Sequence, residues 1–376
     1  MRILALEPYY GGSHKAFLDG WVRRSRHAWT VLELPAHKWK WRMRHAAVTF
    51  AERVDQALAA GASYDLLFCS DMLNLAEFLG LAPPAVRSLP SVAYFHENQL
   101  TYPVRCERER DYHFVLTNLT TALAATRVWF NSAYHRDAFL GALPKFLKRM
   151  PDHQPMHAIE LIRAKSSIHS PGVDEFPPRG ARQPGPLRIL WAARWEHDKN
   201  PDLFFEALER LELDGVDFRI SVLGERFRDA PPVFERARAR FAARIDRWGY
   251  QESRGEYEAA LREADVIVST ADHEFFGLSV VEAVAAGALP LLPRRLAYPE
   301  ILRTPAEGFR GENDDFFYDG GAQALADRLA QLAERLERGE LRSGASDRGA
   351  RAVSRYAWSA RAPAMDDALE AIAPAS

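Results

Sequence analysis

Glu274 and Glu282 bracket Gly277, which opens a helix-like run over 278–286 just beyond an apolar strand candidate ending near Ser269. A helix N-terminus carries about half a positive charge, and the N–H groups of Gly277, Leu278 and Ser279 would point out of it toward a diphosphate. Gly277 has no Cβ and lets the backbone come close. Glu282, one turn further in, could accept both hydroxyls of a ribose, and Glu274 the hydroxyls of whatever the diphosphate carries. Acidic residues at a helix start are also favourable on dipole grounds alone, so the pair by itself leaves both readings open. Arg194 and Lys199 follow another apolar strand candidate, Arg188–Ala192, and precede Asn200-Pro201. They could neutralise a leaving diphosphate, or simply flank a solvated turn with proline at the first helical position.

A second constellation lies in the first half. His37–His45 interleaves Lys38, Lys40, Arg42 and Arg44 with Trp39 and Trp41. Cations for phosphates alternating with rings for base stacking suit a nucleic acid. The competing reading is an edge strand whose two tryptophans share a buried face. Lys145, Lys148, Arg149, Arg163 and Lys165 make a second basic stretch around an irregular Pro/His segment, either RNA-facing or a plain surface insertion.

These residues need elements to hold them. Short apolar runs at Ile3–Leu6, Val31–Leu34, Leu66–Cys69, Val92–Phe95 and Val128–Phe130 alternate with amphipathic segments such as 46–60 and 114–125. The Pro/Gly-rich stretch 177–186 interrupts the alternation, which restarts with strand candidates at 188–192, 218–223, 266–269 and 289–292. Alternating strand and helix predicts doubly wound parallel α/β layers, here two Rossmann-like halves with a ligand cleft at the carboxyl ends of their strands. The expected division is 1–180, 181–355 and a C-terminal helical segment, 356–376, packing back on the first half. A length of 376 residues favours two domains, and 47% hydrophobic with 27% charged residues excludes wholesale disorder. Two cysteines exclude a disulfide framework or a four-thiolate zinc site. The apolar run after Met1 is too short for a signal peptide or a span, so the expected location is the cytoplasm, with no membrane partner. The net charge of −2 conceals an asymmetry: residues 1–180 hold 22 Lys+Arg against 17 Asp+Glu, and residues 181–376 hold 27 against 34. A basic first half fits a phosphate-rich partner.

The segment from Glu274 to Glu282, with Phe276 inside it, resembles the Glu-x7-Glu motif of retaining GT-B glycosyltransferases that use nucleotide sugars. Arg194 and Lys199-Asn200 resemble that class's phosphate clamp, and Gly11-Gly12 its glycine loop facing the donor. Ser170-Pro-Gly-Val-Asp174 resembles its interdomain hinge, with Ser-Pro where the class has Pro-Asn, and Trp248-Gly249-Tyr250 lies where the class holds the donor base. The resemblance implies a GT-B fold, a histidine touching the donor sugar at His96, Glu274 positioning the donor, and no metal or other cofactor. Glu7-Pro-Tyr-Tyr-Gly-Gly-Ser-His14, Trp39–Arg44, Ser70-Asp-Met72, Phe95-His-Glu-Asn-Gln-Leu-Thr-Tyr-Pro103, Arg110-Asp-Tyr112 and Phe130-Asn-Ser132 resemble one branch, the tRNA-queuosine alpha-mannosyltransferase family. That branch implies transfer of mannose from GDP-mannose to queuosine in the anticodon of an aspartate tRNA. It also implies an acceptor wall including Ser13, His14, Asp71, Glu97, Asn98, Asp111 and Asn118, beside Lys38, Trp39, Lys40, Trp41, Arg42 and Arg44. The chain departs from the family pattern around residues 141–165. A transferase for a lipid or polysaccharide precursor and a catalytically silent RNA-binding protein on the same frame are the alternatives. The intact Arg194, Lys199, Glu274 and Glu282 set speaks against the silent protein.

Overall fold

The computed structural model describes residues 1–104, 110–177, 179–227, 230–303, 311–341 and 345–372. The chain divides into two compact units, Met1–Gly172 with Trp358–Ser376, and Val173–Ala357. The first boundary falls eight residues ahead of the 180/181 division read from the Pro/Gly stretch. The reason is electrostatic: Arg182 donates to both oxygens of the fully buried Asp265 at 2.8–3.1 Å, and Arg179 reaches the same carboxylate and the Gly287 carbonyl. The expected linker is thereby tied to the second unit.

In the first unit β1 (Arg2–Tyr10), β2 (Ala28–Pro35), β3 (Leu66–Ser70), β4 (Ser91–Phe95), β5 (Arg127–Phe130) and β6 (Ser166–Ile168) form a parallel sheet in the order β2-β1-β3-β4-β5-β6. The helices are α1 (Gly12–Val22), α2 (Trp39–Ala59), α3 (Leu75–Leu81), α4 (Pro84–Arg87), α5 (Tyr112–Ala124), α6 (Ala133–Leu147) and α7 (His157–Ala164). Side chains alternate across a strand, so β1 sends Leu4 and Leu6 into a core shared with α2, α3 and α5–α7. Ile3 and Ala5 point the other way, onto Phe17, Leu18 and Trp21 of α1. Crossovers leave in opposite directions at β1 and β3, which makes the carboxyl ends of those strands the topological switch point.

In the second unit β7 (Leu187–Ala192), β8 (Phe218–Leu223), β9 (Ile245–Gly249), β10 (Val266–Val268), β11 (Leu289–Pro293) and β12 (Phe317–Tyr318) form a parallel sheet ordered β12-β11-β10-β7-β8-β9. Its helices are α8 (Pro201–Leu213), α9 (Val233–Arg240), α10 (Arg254–Glu263), α11 (Leu278–Ala285), α12 (Tyr298–Ile301), α13 (Ala322–Glu337) and α14 (Ala345–Val353). Here the switch point lies between β7 and β10. A capping box at Ser253 and Glu256 starts α10.

The last helix, α15 (Trp358–Glu370), lies in the first unit. The Trp358 indole fills a slot between Gly20 and Gly172, where an added Cβ would stand 2.4 and 2.2 Å from it. Asp366 accepts 2.8 Å hydrogen bonds from Trp21 Nε1, Ser25 Oγ and the Arg26 N–H, which fixes the helix against α1. Among the described residues no helix is long and apolar enough to cross a membrane.

Candidate active site

In the second unit two loops meet beyond β7 and β10. The loop after β7 carries Arg194 and a short 3-10 turn, His197–Lys199, closed by Asn200 in the left-handed region. Asn200 caps α8 by accepting from the Leu203 N–H and donates to Asp272 Oδ2 at 3.0 Å. The Lys199 carbonyl accepts from Thr270 Oγ1 at 2.8 Å, and the Asp272 N–H reaches the Asp198 carbonyl at 2.8 Å. These bonds place the buried Lys199 amine 2.7 Å from the His273 carbonyl, 3.1 Å from Asp198 Oδ2 and 3.3 Å from Glu274 Oε2. Burial disfavours the charged amine, but Glu274 and Asp198 outweigh it and raise its proton affinity. Burial pulls Glu274 the other way; Lys199 prevails and holds its carboxyl below the usual range.

Gly277 caps α11 at φ 90°, the left-handed region, with an added Cβ only 3.0 Å from the Tyr298 ring. No side chain caps this helix, and Ser279 Oγ turns back to the Ala192 carbonyl at 2.7 Å. The first turn therefore offers N–H groups to an anion one loop away from the Lys199 amine. Phe276 is buried at the edge of the Tyr356 ring and supports the turn. Arg194, exposed, lies 3.3 Å from Glu196. Glu282, one turn in, is already held: Arg254 Nη1 donates to Oε1 at 3.0 Å and Tyr257 OH to Oε2 at 2.7 Å. Burial raises its carboxyl despite both partners. A ribose at Glu282 would have to share or replace those bonds. Arg254 and Tyr257 sit on α10, outside the Glu-x7-Glu segment, and no spacing in the chain pointed to them.

In the first unit strand parity does the positioning. Glu7 continues the Ile3 and Ala5 face of β1, Ser70 the Phe68 face of β3, and His96 the Val92 and Tyr94 face of β4, the face that packs on α1; Glu7 and His96 touch it. Glu7 Oε1 accepts from Ser70 Oγ at 3.0 Å, and Oε2 lies 3.3 Å from His14 Nδ1. The His14 ring stacks on His96 at 3.9 Å. Asp71 Oδ1 accepts the His96 main-chain N–H at 2.8 Å; burial raises this carboxyl, with His14 opposing and Glu97 reinforcing. Glu97 is half-buried and accepts from Gln99 Nε2. Glu7 escaped the sequence reading as a functional residue. The available signal was a carboxylate continuing the inward parity of a buried strand.

Several residues expected to face an acceptor also hold the fold. Asn118 is fully buried, accepting from the Gln99 N–H at 2.7 Å and donating to the Asp71 carbonyl at 3.1 Å. Asn98 caps the turn at Thr101, and Asp111 is the exposed N-cap of α5. His14 is turned inward, whereas Ser13 and Gly12 are exposed at the uncapped start of α1. Gly11 is required by a close approach: a Cβ there would stand 2.3 Å from that of Ala36.

The His37–His45 stretch is not an edge strand. α2 begins at Trp39, because Trp39, Met43, Ala46, Ala47, Phe50 and Val54 follow a helical period that overrides the two-residue alternation of its first three residues. Trp39 and Trp41 consequently part: Trp39 packs on Phe114 at 5.1 Å, whereas Trp41 is 59% exposed. Arg42 is buried, donating to the Pro35 carbonyl at 3.0 Å and bonding the rings of His37 and His45 at 2.9 Å. Lys38, Lys40, Trp41 and Arg44 remain on the surface of this first turn. In the second basic stretch, Lys165 is spent on the Leu123 and Ala125 carbonyls.

Two parallel six-stranded α/β units, each with polar groups gathered at its switch point, define a GT-B glycosyltransferase fold. Sucrose-phosphate synthase from Thermosynechococcus elongatus superimposes with a TM-score of 0.70 over 99% of both chains at 15% identity. Anabaena Alr3699/HepE in complex with UDP-glucose gives 0.67 over 99% of this chain and 100% of that one at 14% identity. Residues 2–173 match the tRNA-queuosine alpha-mannosyltransferase N-terminal family, and residues 173–347 match glycosyl transferases group 1. A tRNA-queuosine alpha-mannosyltransferase from Drosophila melanogaster is 37% identical over 312 residues, covering 80% of this chain and 81% of its own. The GDP-mannose-dependent alpha-(1-6)-phosphatidylinositol dimannoside mannosyltransferase of Mycobacterium tuberculosis is 27% identical over 50% of this chain and 45% of its own. The chain belongs to the tRNA-queuosine alpha-mannosyltransferase family and is a hexosyltransferase.

Proposed function

We propose that this enzyme transfers mannose from GDP-mannose to the cyclopentenediol of queuosine in a tRNA, the aspartate tRNA by family, with retention of anomeric configuration. The observation that carries the reading is the match of residues 2–173 to the family's N-terminal part, joined to a diphosphate cradle in the second unit. A relative named as GDP-mannose-dependent supports the donor. An acceptor hydroxyl attacks the anomeric carbon from the face the diphosphate leaves. The new C–O bond forms as the bond to phosphate breaks, and the acceptor proton passes to the departing phosphate oxygen. Lys199, Arg194 and the α11 N-terminus stabilise the charge that develops there, the task a divalent metal performs in other transferases, so no metal is assigned to the donor. Glu282 takes the ribose, Glu274 and His96 orient the sugar, and neither carboxylate is a nucleophile. Lys38, Lys40, Trp41 and Arg44 meet the RNA. A tRNA acceptor supports a cytoplasmic location.

The test incubates the protein with GDP-mannose, or other nucleotide sugars, and tRNA with or without queuosine, followed by nucleoside mass spectrometry. Hexose on queuosine alone is expected; no product with any donor would refute the reading. Trp41→Ala should raise the KM for tRNA about tenfold, as loss of one stacked base implies, and leave the KM for the donor unchanged.

A further inference from the structure

His96 is held through its backbone and by rings on several sides. Its main-chain N–H is bound by Asp71 Oδ1 at 2.8 Å and its carbonyl by Asn131 Nδ2 at 2.9 Å. His14 stacks on the ring at 3.9 Å with planes 29° apart, while Phe17 and Tyr94 meet it edge-on at 5.1 and 4.6 Å. Among the described residues neither ring nitrogen of His96 has a hydrogen-bond partner, and the residue is only half-buried. Behind it, Glu7 is fixed by the Tyr9 N–H at 2.9 Å, by Ser70 Oγ at 3.0 Å and by His14 Nδ1 at 3.3 Å. The Glu7 and His14 side chains are 5% and 8% exposed.

Two imidazoles in van der Waals contact do not both carry a proton's charge here, because the cations repel and the buried inner ring has no water to solvate it. The carboxylate decides which one does. Glu7 touches His14, so the charge settles there and the His14 ring presents it to His96. The groups facing the pair are Glu7 from β1, Asp71 after β3, Glu97 after β4 and His135 from α6. Burial opposes charge on His14, but Glu7, with Asp71 and Glu97 behind it, lifts the imidazolium to about 9. Burial, then His14, then His135 push His96 well below the ordinary histidine range. Potential ligand atoms of Glu7, His14 and His96 lie within 4.8 Å of one another, as a metal would need. Stacked rings aim their lone pairs side by side, however, and a protonated His14 has none to offer on the Glu7 side.

We propose that Glu7 and His14 are positioning residues: a buried carboxylate–imidazolium pair that clamps the stacked His96 ring and keeps it uncharged, so that it meets a sugar hydroxyl as a neutral hydrogen-bonding group. The benefit is chemical. A glycosyl-transfer transition state has oxocarbenium character, and an imidazolium beside the sugar would oppose that positive charge. The assignment rests on the reading that His96 touches the transferred sugar.

The test uses the full chain, with histidine rings followed by NMR as pH is varied, in wild type, Glu7→Gln and His14→Gln. In the wild type His14 should stay protonated through neutrality and His96 should stay neutral into the acidic range. In Glu7→Gln the His14 proton should leave near the ordinary value, and in both variants His96 should gain its proton about one pH unit higher. The acid limb of kcat with GDP-mannose and queuosine-containing tRNA should move upward by the same amount. A wild-type His14 that titrates like a free histidine overturns the proposal. So does a loss of kcat that is equal at every pH with His96 unshifted, or a stoichiometric zinc or iron ion lost in Glu7→Gln. The NMR titration needs no substrate, so its failure refutes the pair, whereas absence of product with GDP-mannose and tRNA refutes the proposed function alone.

Discussion

Replacing Lys199 by methionine removes an ammonium and keeps the side chain's length and apolar stem. In the native unit that amine, 8% exposed, lies 3.1 Å from Asp198, 3.3 Å from Glu274 and 2.7 Å from the His273 carbonyl. Removing one member of a buried ion pair costs about 3–5 kcal/mol, because the remaining charge is left desolvated and unpaired. Glu274 can escape part of that cost by taking up a proton, since Lys199 is the main influence keeping it ionised against burial. The lower end, about 3 kcal/mol, is therefore expected, and a domain of this size should lose about 6–12 °C in Tm. With Lys199 proposed to meet the diphosphate, donor binding should lose a charged hydrogen bond, about 1.5–3 kcal/mol, or roughly 10- to 150-fold in Kd for GDP. The double variant Lys199→Met/Glu274→Gln separates the two effects. Neutralising Glu274 leaves only Asp198 stranded, so part of the stability should return while GDP affinity should not. Calorimetry on the three variants with GDP titrations of each decides it. A Tm within about 1 °C of wild type for the single variant, or recovered GDP binding in the double, would refute the assignment of Lys199 as both keystone and phosphate contact.

Three further outcomes are expected. Gly277→Ala forces φ 90° on a residue with a Cβ 3.0 Å from the Tyr298 ring, which should cost about 1–2 kcal/mol and weaken GDP binding about tenfold. Gly141→Ala, in open space on α6, should instead stabilise by about 0.5–1 kcal/mol with GDP binding untouched. His14, raised from 6.5 to about 9, contributes stability that is fully present below its unfolded value and is lost as pH rises through the folded one. Urea unfolding should therefore show a decline of about 3 kcal/mol between those limits, absent from Glu7→Gln.

The sequence determined the alternation of strand and helix, hence two parallel sheets, because apolar runs and amphipathic stretches are set by local composition. It also carried the Glu274–Glu282 segment, whose chemistry depends on a strand, a glycine and a helix start following one another along the chain. The edge-strand alternative for the first turn of α2 fails because its two-residue alternation spans only a few positions, whereas the helical period that governs it becomes visible only through Phe50 and Val54. Tertiary structure alone decided the roles of residues distant in sequence. Arg254 and Tyr257 reach Glu282 from another helix, and the Pro/Gly stretch is tied down by a carboxylate more than eighty positions later. Glu7 within β1, His14 in the first turn of α1 and His96 just past β4 are each unremarkable in isolation. Packing brings them within stacking and hydrogen-bond distance and so decides which imidazole carries the charge, since protonation in a buried site is set by the nearest carboxylate and not by the residue's own place in the chain.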